Sequence, residues 1–430
     1  MTRKQSSQMK IWIAALAIFM LVVSACTPAT KAPAAPTEEP APAATEEPAP
    51  AVAFDLDAIL ANAGGDCQEP TGDPLRIGYV GDFSELGGFA DIPGTKAAGY
   101  MAELINCAGG INGTPVEVKV FPADATDLDL TLRAAQDAVD AGVHAVLGPP
   151  FSDVGLPLLN VLGGKIPAIH VSSTEVVLAD PSNYSFLMTF TDAVQGHAAG
   201  EWAFKNGYKT AVIMTSDVAP YFEANPTAFA EAFSALGGEV LGDFSYTLGD
   251  DDYSSQVNEI AALDSPPDLL YTANIMPFID VLVGQLRAAG LTDMLIMGPD
   301  GFDATRVIDG ETTDGVVYTT HGFPSPGSRM KIFLDAYEAE KGEALESIAF
   351  GPLAADAVLT ISQAYLASGK LDSIAIGDAM LAMESFDLIS VDSASYQRSG
   401  GPDGTVTRDV YIVQNVASVP TLLDQFIPQD

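Results

Sequence analysis

The side chains that most readily do chemistry are scarce in this chain. Only 3 cysteines and 4 histidines stand among 430 residues, so no four-cysteine zinc site can form. His144, His170, His197 and His321 are scattered, and neither His-Glu-x-x-His nor Gly-x-Ser-x-Gly occurs. No local motif therefore assembles a metalloprotease or an activated serine. Asp124, Asp127 and Asp129, and the run Asp250–Asp252, offer oxygen ligands but do not follow the spacing of a calcium loop. Both groups directly precede helical runs, where acids serve as caps and first-turn residues. Gly81–Gly88 follows an apolar strand, yet lacks the Gly-x-Gly-x-x-Gly of a dinucleotide site and the Gly-Lys-Ser/Thr of a P-loop. No cofactor is expected, and the chain does not read as an enzyme.

Three loops suit recognition better than catalysis. Gly148-Pro-Pro-Phe-Ser152 and His170-Val-Ser-Ser-Thr174 each place hydroxyls at a strand end, and a helix begins just after the first. Helix-start N–H groups with Ser and Thr hydroxyls can hold a carboxylate without arginine. Gly298-Pro-Asp300-Gly301 puts an acid at another strand end, where it can receive an ammonium group. Together they suit a zwitterion. Taken singly, Ser152 and Thr174 read as helix caps and Asp300 as a turn residue.

The elements that must position these loops alternate strand and helix. Leu75–Val80, Val116–Phe121, Ala145–Leu147, Ala168–Val171, Thr210–Met214 and Leu295–Met297 are apolar strand runs. Between them, the spacing predicts helices over about Thr95–Cys107 and over the stretch aligning Leu128, Leu132, Ala135 and Val139 before Gly142. Val194, Ala198 and Trp202 line another helix before Gly207; Phe278, Leu282, Leu286 and Ala289 line one between Pro277 and Gly290. Such alternation means parallel sheets covered on both faces. Two similar α/β lobes fit it, with an eight-fold barrel as the alternative. In open α/β sheets ligands sit beyond the carboxyl ends of the strands, where the three loops lie.

The N-terminus reads as an address. Arg3, Lys4 and Lys10 precede the apolar run Ile11–Val23, which ends at Ser24-Ala25-Cys26. This describes a secretory signal peptide, and the run is short of the roughly 20 residues a spanning helix needs. Val-Ser-Ala-Cys resembles a bacterial lipobox, which makes Cys26 the lipidated first residue of the mature chain. Thr37-Glu-Glu-Pro-Ala-Pro42 recurs as Thr45–Pro50 within an Ala- and Pro-rich segment to residue 53, a semi-rigid tether. In an exported, oxidising compartment the remaining pair, Cys67 and Cys107, is expected to form a disulfide.

The formal charge is −38, from 19 basic and 57 acidic residues, at a mean hydropathy of +0.21. Removing residues 1–25 discards Arg3, Lys4 and Lys10 and no acid, and the tether carries only −3, so residues 54–430 hold −38 themselves. That excess argues against nucleic acid and against anionic membrane surfaces. The apolar content argues against disorder over most of the chain.

From about Leu75 to Ala367 the chain resembles the leucine/isoleucine/valine-binding protein family, the type I periplasmic solute-binding proteins of ABC importers. The resemblance is carried, in order, by Leu75-Arg-Ile-Gly-Tyr-Val-Gly81, Ile105-Asn-Cys-Ala-Gly-Gly-Ile-Asn-Gly113, Ala145-Val-Leu-Gly148, Phe190-Thr-Asp192, Asp252-Tyr-Ser-Ser-Gln256, Gln285-Leu-Arg-Ala-Ala-Gly-Leu291 and Met297-Gly-Pro-Asp-Gly301. It implies an α/β, type I periplasmic-binding-protein fold, two Rossmann-like lobes joined by three hinge crossings. Lobe 1 would take about 75–190 plus 320–395, and lobe 2 about 191–319 plus 396–430. It further implies an extracytoplasmic, monomeric protein anchored through Cys26 that delivers an amino acid to a membrane permease. Mapped on the family pattern, Ser152 holds the ligand carboxylate and Ser172 with Thr174 completes the carboxylate and amino contacts. Asp300 replaces an acid, usually Glu, that binds the ammonium; Tyr221 and Phe89 supply aromatics. Two departures bear on the ligand. Asp300 is one methylene shorter than Glu, and Ile275, flanked by Asn274, stands where the family often has Tyr. An aliphatic amino acid is expected, with amides, urea-like solutes and aromatic acids open. A sensing ectodomain on the same fold and a secreted hydrolase are the rival readings.

Overall fold

The computed structural model describes residues 54–427 apart from 68–69, 276 and 304–310. The signal peptide, Cys26 and the tether lie outside the described residues.

The alternation resolves into two separate sheets, and the barrel alternative fails. The first is five-stranded and wholly parallel: β1 (Leu75–Asp82), β2 (Val116–Ala123), β3 (Ala145–Leu147), β4 (Ala168–His170) and β5 (Ser185–Leu187), in spatial order β2-β1-β3-β4-β5. The second has seven strands. β6 (Thr210–Thr215), β7 (Glu239–Ser245), β8 (Leu269–Thr272), β9 (Leu295–Gly298) and β10 (Val317–Thr320) run parallel. After a short two-strand ladder, β11 (Phe386–Asp387) with β12 (Ser393–Ala394), come β13 (Val410–Val416) and β14 (Val419–Phe426), which add antiparallel beyond β10.

The inner parallel strands of each sheet are buried on both faces, as their near-continuous apolar runs require. The helices Gly88–Cys107 and Phe350–Ser368 cover one face of the first sheet, packing Ala97, Met101, Leu353 and Val358 onto Ile77, Tyr79 and Leu147. On its other face the helix Leu128–Asp140 buries Thr131, Ala134, Ala135 and Ala138, whereas Leu128 is 42% exposed. The buried stripe is therefore rotated one residue from the expected one. Small side chains let this helix approach Gly78 closely, and Thr131 is buried because its hydroxyl donates to the Asp124 carbonyl at 2.9 Å. Asp127 caps the same helix by accepting from the Leu130 N–H, and Asp252 accepts from the Ser254 N–H. The helix expected from Thr95 begins at Gly88 instead, with Pro93 inside it.

Three crossings join the lobes. The chain passes from β5 to the helix Asp192–Lys205, whose Ala198 and Trp202 pack on the second sheet. It returns after β10 to the helix Arg329–Lys341, whose Phe333 and Tyr337 belong to the core of the first. It leaves again between Val406, in that first core, and Val410, in the second. Cys67 and Cys107 are joined by a disulfide that ties the entry segment to the end of the Gly88–Cys107 helix. No helix among the described residues is long and apolar enough to cross a membrane.

Candidate functional site

In both sheets the strand order reverses next to the first strand of the lobe, β1 in one and β6 in the other, and each such point opens a crevice at the strands' carboxyl ends. The two crevices face each other. Phe89 follows β1, Pro150 and Phe151 follow β3, and Ser172–Glu175 follow β4; from the second lobe come Tyr221 after β6, Ile275 after β8, and Asp300 and Gly301 after β9. Together with Phe350 they enclose a cavity of about 20 Å³, room for one water-sized group. The lobes are closed around it: Phe151 packs on Phe222 across the cleft, with ring centroids 6.2 Å apart, beside Val154 and Ile275.

Of the residues singled out in the sequence, Phe89, Ser172, Thr174, Tyr221, Ile275 and Asp300 line this cavity. Ser152 does not; it is buried one layer back as the first residue of the helix Ser152–Leu162. Local backbone explains the close approach of the loops. Gly148 sits at φ +82°, and a Cβ there would stand 2.4 Å from the Val80 carbonyl oxygen. At Gly301 a Cβ would lie 2.8 Å from the Tyr221 hydroxyl, so only glycine lets the strand-end turn reach that ring.

Asp300 is fully fixed. Its Oδ1 accepts from the Tyr221 hydroxyl at 3.0 Å, and its Oδ2 lies 2.8 Å from His321 Nε2. The Tyr221 oxygen also accepts from the Gly301 N–H, and the Asp300 N–H donates to Gln195 Oε1. Burial pulls the His321 imidazole down from its ordinary range, opposed by the Asp300 carboxylate. The ring stacks on Phe190 at 3.7 Å.

The other lobe supplies residues the sequence did not single out. Glu175, immediately after Thr174, accepts from the N–H of Ser152 and, at 3.3 Å, from the N–H of Tyr221. These are the first residues of two helices, one in each lobe. Burial pushes Glu175 up, while hydrogen bonds from Ser152 and Tyr221 pull it back. Behind the cavity, Asp192 accepts from the Thr174 hydroxyl at 2.5 Å and from the Asn225 amide at 3.0 Å. Burial raises it to about 7, with the Asp300 and Glu175 charges adding to the shift. Ser172 donates to Asp91, which also receives the Tyr79 hydroxyl and the Asp82 N–H; burial raises Asp91 to about 7 as well. Asp192 stood inside a segment of the family pattern, Glu175 directly follows the His170–Thr174 loop, and His321, directly after β10, stood only among the four scattered histidines. Adjacency was the only signal for the two acids.

A closed cleft between two α/β lobes, lined from strand ends of both, defines a two-lobed small-molecule binding protein. Residues 74–418 match the model of the periplasmic binding protein family, and the chain belongs to that family. Its members are extracytoplasmic solute-binding proteins that take small molecules such as amino acids and work with ABC permeases; they are not enzymes. Over 252 residues the chain is 27% identical to the Leu/Ile/Val-binding protein BraC3 of Rhizobium johnstonii, spanning 57% of this chain and 67% of that protein. The fold is shared with the leucine-binding protein LivK of Thermotoga maritima, at TM-score 0.73 and 22% identity over 82% of this chain and 99% of that one. It is shared too with an ABC-transporter solute-binding protein of Rhodopseudomonas palustris solved with 3,4-dihydroxybenzoic acid, at TM-score 0.70 and 22% identity over 83% and 98%.

Proposed function

We propose that this chain is the solute-binding lipoprotein of an ABC importer, held at the membrane by acylated Cys26, which captures an amino acid or a related ammonium compound between its lobes and presents it to a permease. The observation that carries the ligand half of this reading is Asp300: a buried carboxylate at the cavity wall, braced by Tyr221 and His321 on the second lobe. A ligand ammonium there makes a charge-assisted hydrogen bond. Phe89, Phe151 and Phe350 face it from the first lobe, and Ile275 adds an aliphatic wall. The name of the BraC3 relative points to aliphatic amino acids. The 3,4-dihydroxybenzoic acid held by the Rhodopseudomonas palustris protein keeps aromatic acids as the second reading.

Transport needs no chemistry on the solute. A ligand touching both lobes favours closure only through contacts absent when they part, and the closed form is what a permease would distinguish. The reading also includes a monomer carried on the tether. It is tested by native mass spectrometry of the purified protein, followed by a thermal-shift screen across amino acids, amines and small amides. Release of an unmodified ammonium compound, with a matching rise in melting temperature, supports it. Turnover of a test substrate with no stabilising solute would overturn it.

A further inference from the structure

The site that a ligand carboxylate would use already holds one. Two helix N-termini, at Ser152 in the first lobe and Tyr221 in the second, aim their N–H groups at one point, and the Glu175 carboxylate accepts both. Free N–H groups at a helix start, with the helix dipole behind them, are a ready anion site. An incoming carboxylate would have to displace Glu175 and find room beside it, against the Asp300 and Asp192 charges. Among its described lining residues there is no Lys, Arg or His to offset that cost, and the Ser172 and Thr174 hydroxyls already donate to Asp91 and Asp192.

The same features favour a cation. Glu175 and Asp300 approach the cavity from opposite lobes, and Phe89, Phe151, Tyr221 and Phe350 complete its wall. Aromatic faces and carboxylates together are how proteins hold ammonium groups.

We infer that this cleft, parting to admit more than the one water-sized group its closed cavity holds, selects an organic amine lacking a carboxylate, and that Glu175 is the specificity-determining residue because it occupies the carboxylate subsite from within the chain. The inference rests on the solute-binding reading above and narrows its ligand. Glu175 also bridges the lobes, so a cation bound beside it reinforces closure instead of competing with it.

The test uses the full chain in detergent and pairs of compounds that differ only by the carboxylate: leucine with 3-methylbutylamine, and lysine with 1,5-diaminopentane. Isothermal titration of the wild type should show at least one amine binding tenfold or more tighter than its parent amino acid. Glu175→Ala frees the two N–H groups and should reverse that preference, improving the amino acid at least tenfold. Glu175→Gln keeps the shape without the charge, and should weaken the amine tenfold while gaining no amino-acid binding. Amino acids binding the wild type as well as or better than amines, with the preference unmoved by either variant, would overturn the inference and leave the solute-binding reading standing. Absence of any amine or amino-acid binding to all three proteins would overturn both.

Discussion

Buried acids in this molecule meet opposite fates. Asp356, on the helix Phe350–Ser368, is wholly buried, and the Arg408 guanidinium lies 3.6 Å away. Arg408 stands at the third crossing and also donates to the Met188 carbonyl beside the first crossing and to the Ser390 hydroxyl. That acid has its counter-ion built in, and the pair staples two of the connections between lobes. Asp300 and Glu175 are buried as well, but they meet hydroxyl and backbone N–H donors and a histidine whose imidazole burial pulls down, with no guanidinium or ammonium beside them. A folded chain tolerates buried charge when a partner comes with it. Where acids line a cavity without one, the missing partner is what a ligand can bring.

The largest effect expected from this contrast is at the staple. Arg408→Met strips Asp356 of its counter-ion and should cost about 3–5 kcal/mol in chemical denaturation. A loss under 1 kcal/mol would put Asp356 on the same footing as Asp300 and Glu175. At the cavity the sign should reverse. Asp192→Asn removes a buried charge that carries no cationic partner, while its carbonyl oxygen can still accept from Thr174 and Asn225. At pH 8 it should stabilise the chain by about 1 kcal/mol, and it should weaken ammonium binding severalfold.

The same burial sets a pH slope. Burial raises Asp91, Asp192 and Asp303 to about 7 and Asp356 to about 6. Each binds its proton more tightly folded than unfolded, so between about pH 4 and 7 the folded chain holds the extra protons. Stability should therefore fall as pH rises through that window and level off near pH 8, read from denaturation midpoints. Asp180, Asp252 and Asp268 are shifted down by hydrogen bonds and act only at lower pH. Affinity for an ammonium ligand should rise over the same window, because a bound cation favours the ionised acids.

Much of this was legible in the residues. Apolar runs closed by Gly142, Gly207 and Gly290 mark helix ends because positive φ is cheap only there. Parallel sheets leave their carboxyl ends free for ligands, and the three strand-end loops meet at one cavity. The rest depended on contacts between distant segments. Glu175 reads as one more polar loop residue until Ser152 and Tyr221 converge on it, 23 and 46 positions away. Arg408 reads as a surface cation until Asp356 is beside it. The Leu128–Asp140 stripe was misplaced because bulk was weighted over fit, and alanines took the tight contact. The hairpin of β13 and β14 gave no clear pattern, because β14 is an exposed edge strand in which most side chains meet solvent.

The central claim is that Asp300 receives a ligand ammonium between closed lobes. Its most direct test is isothermal titration of the wild type and Asp300→Asn with 3-methylbutylamine and leucine, alongside denaturation of both proteins. Whichever compound binds the wild type should lose tenfold or more in affinity, on the order of 1.5–3 kcal/mol, while the denaturation midpoint holds. Equal affinity in the two proteins would contradict the account.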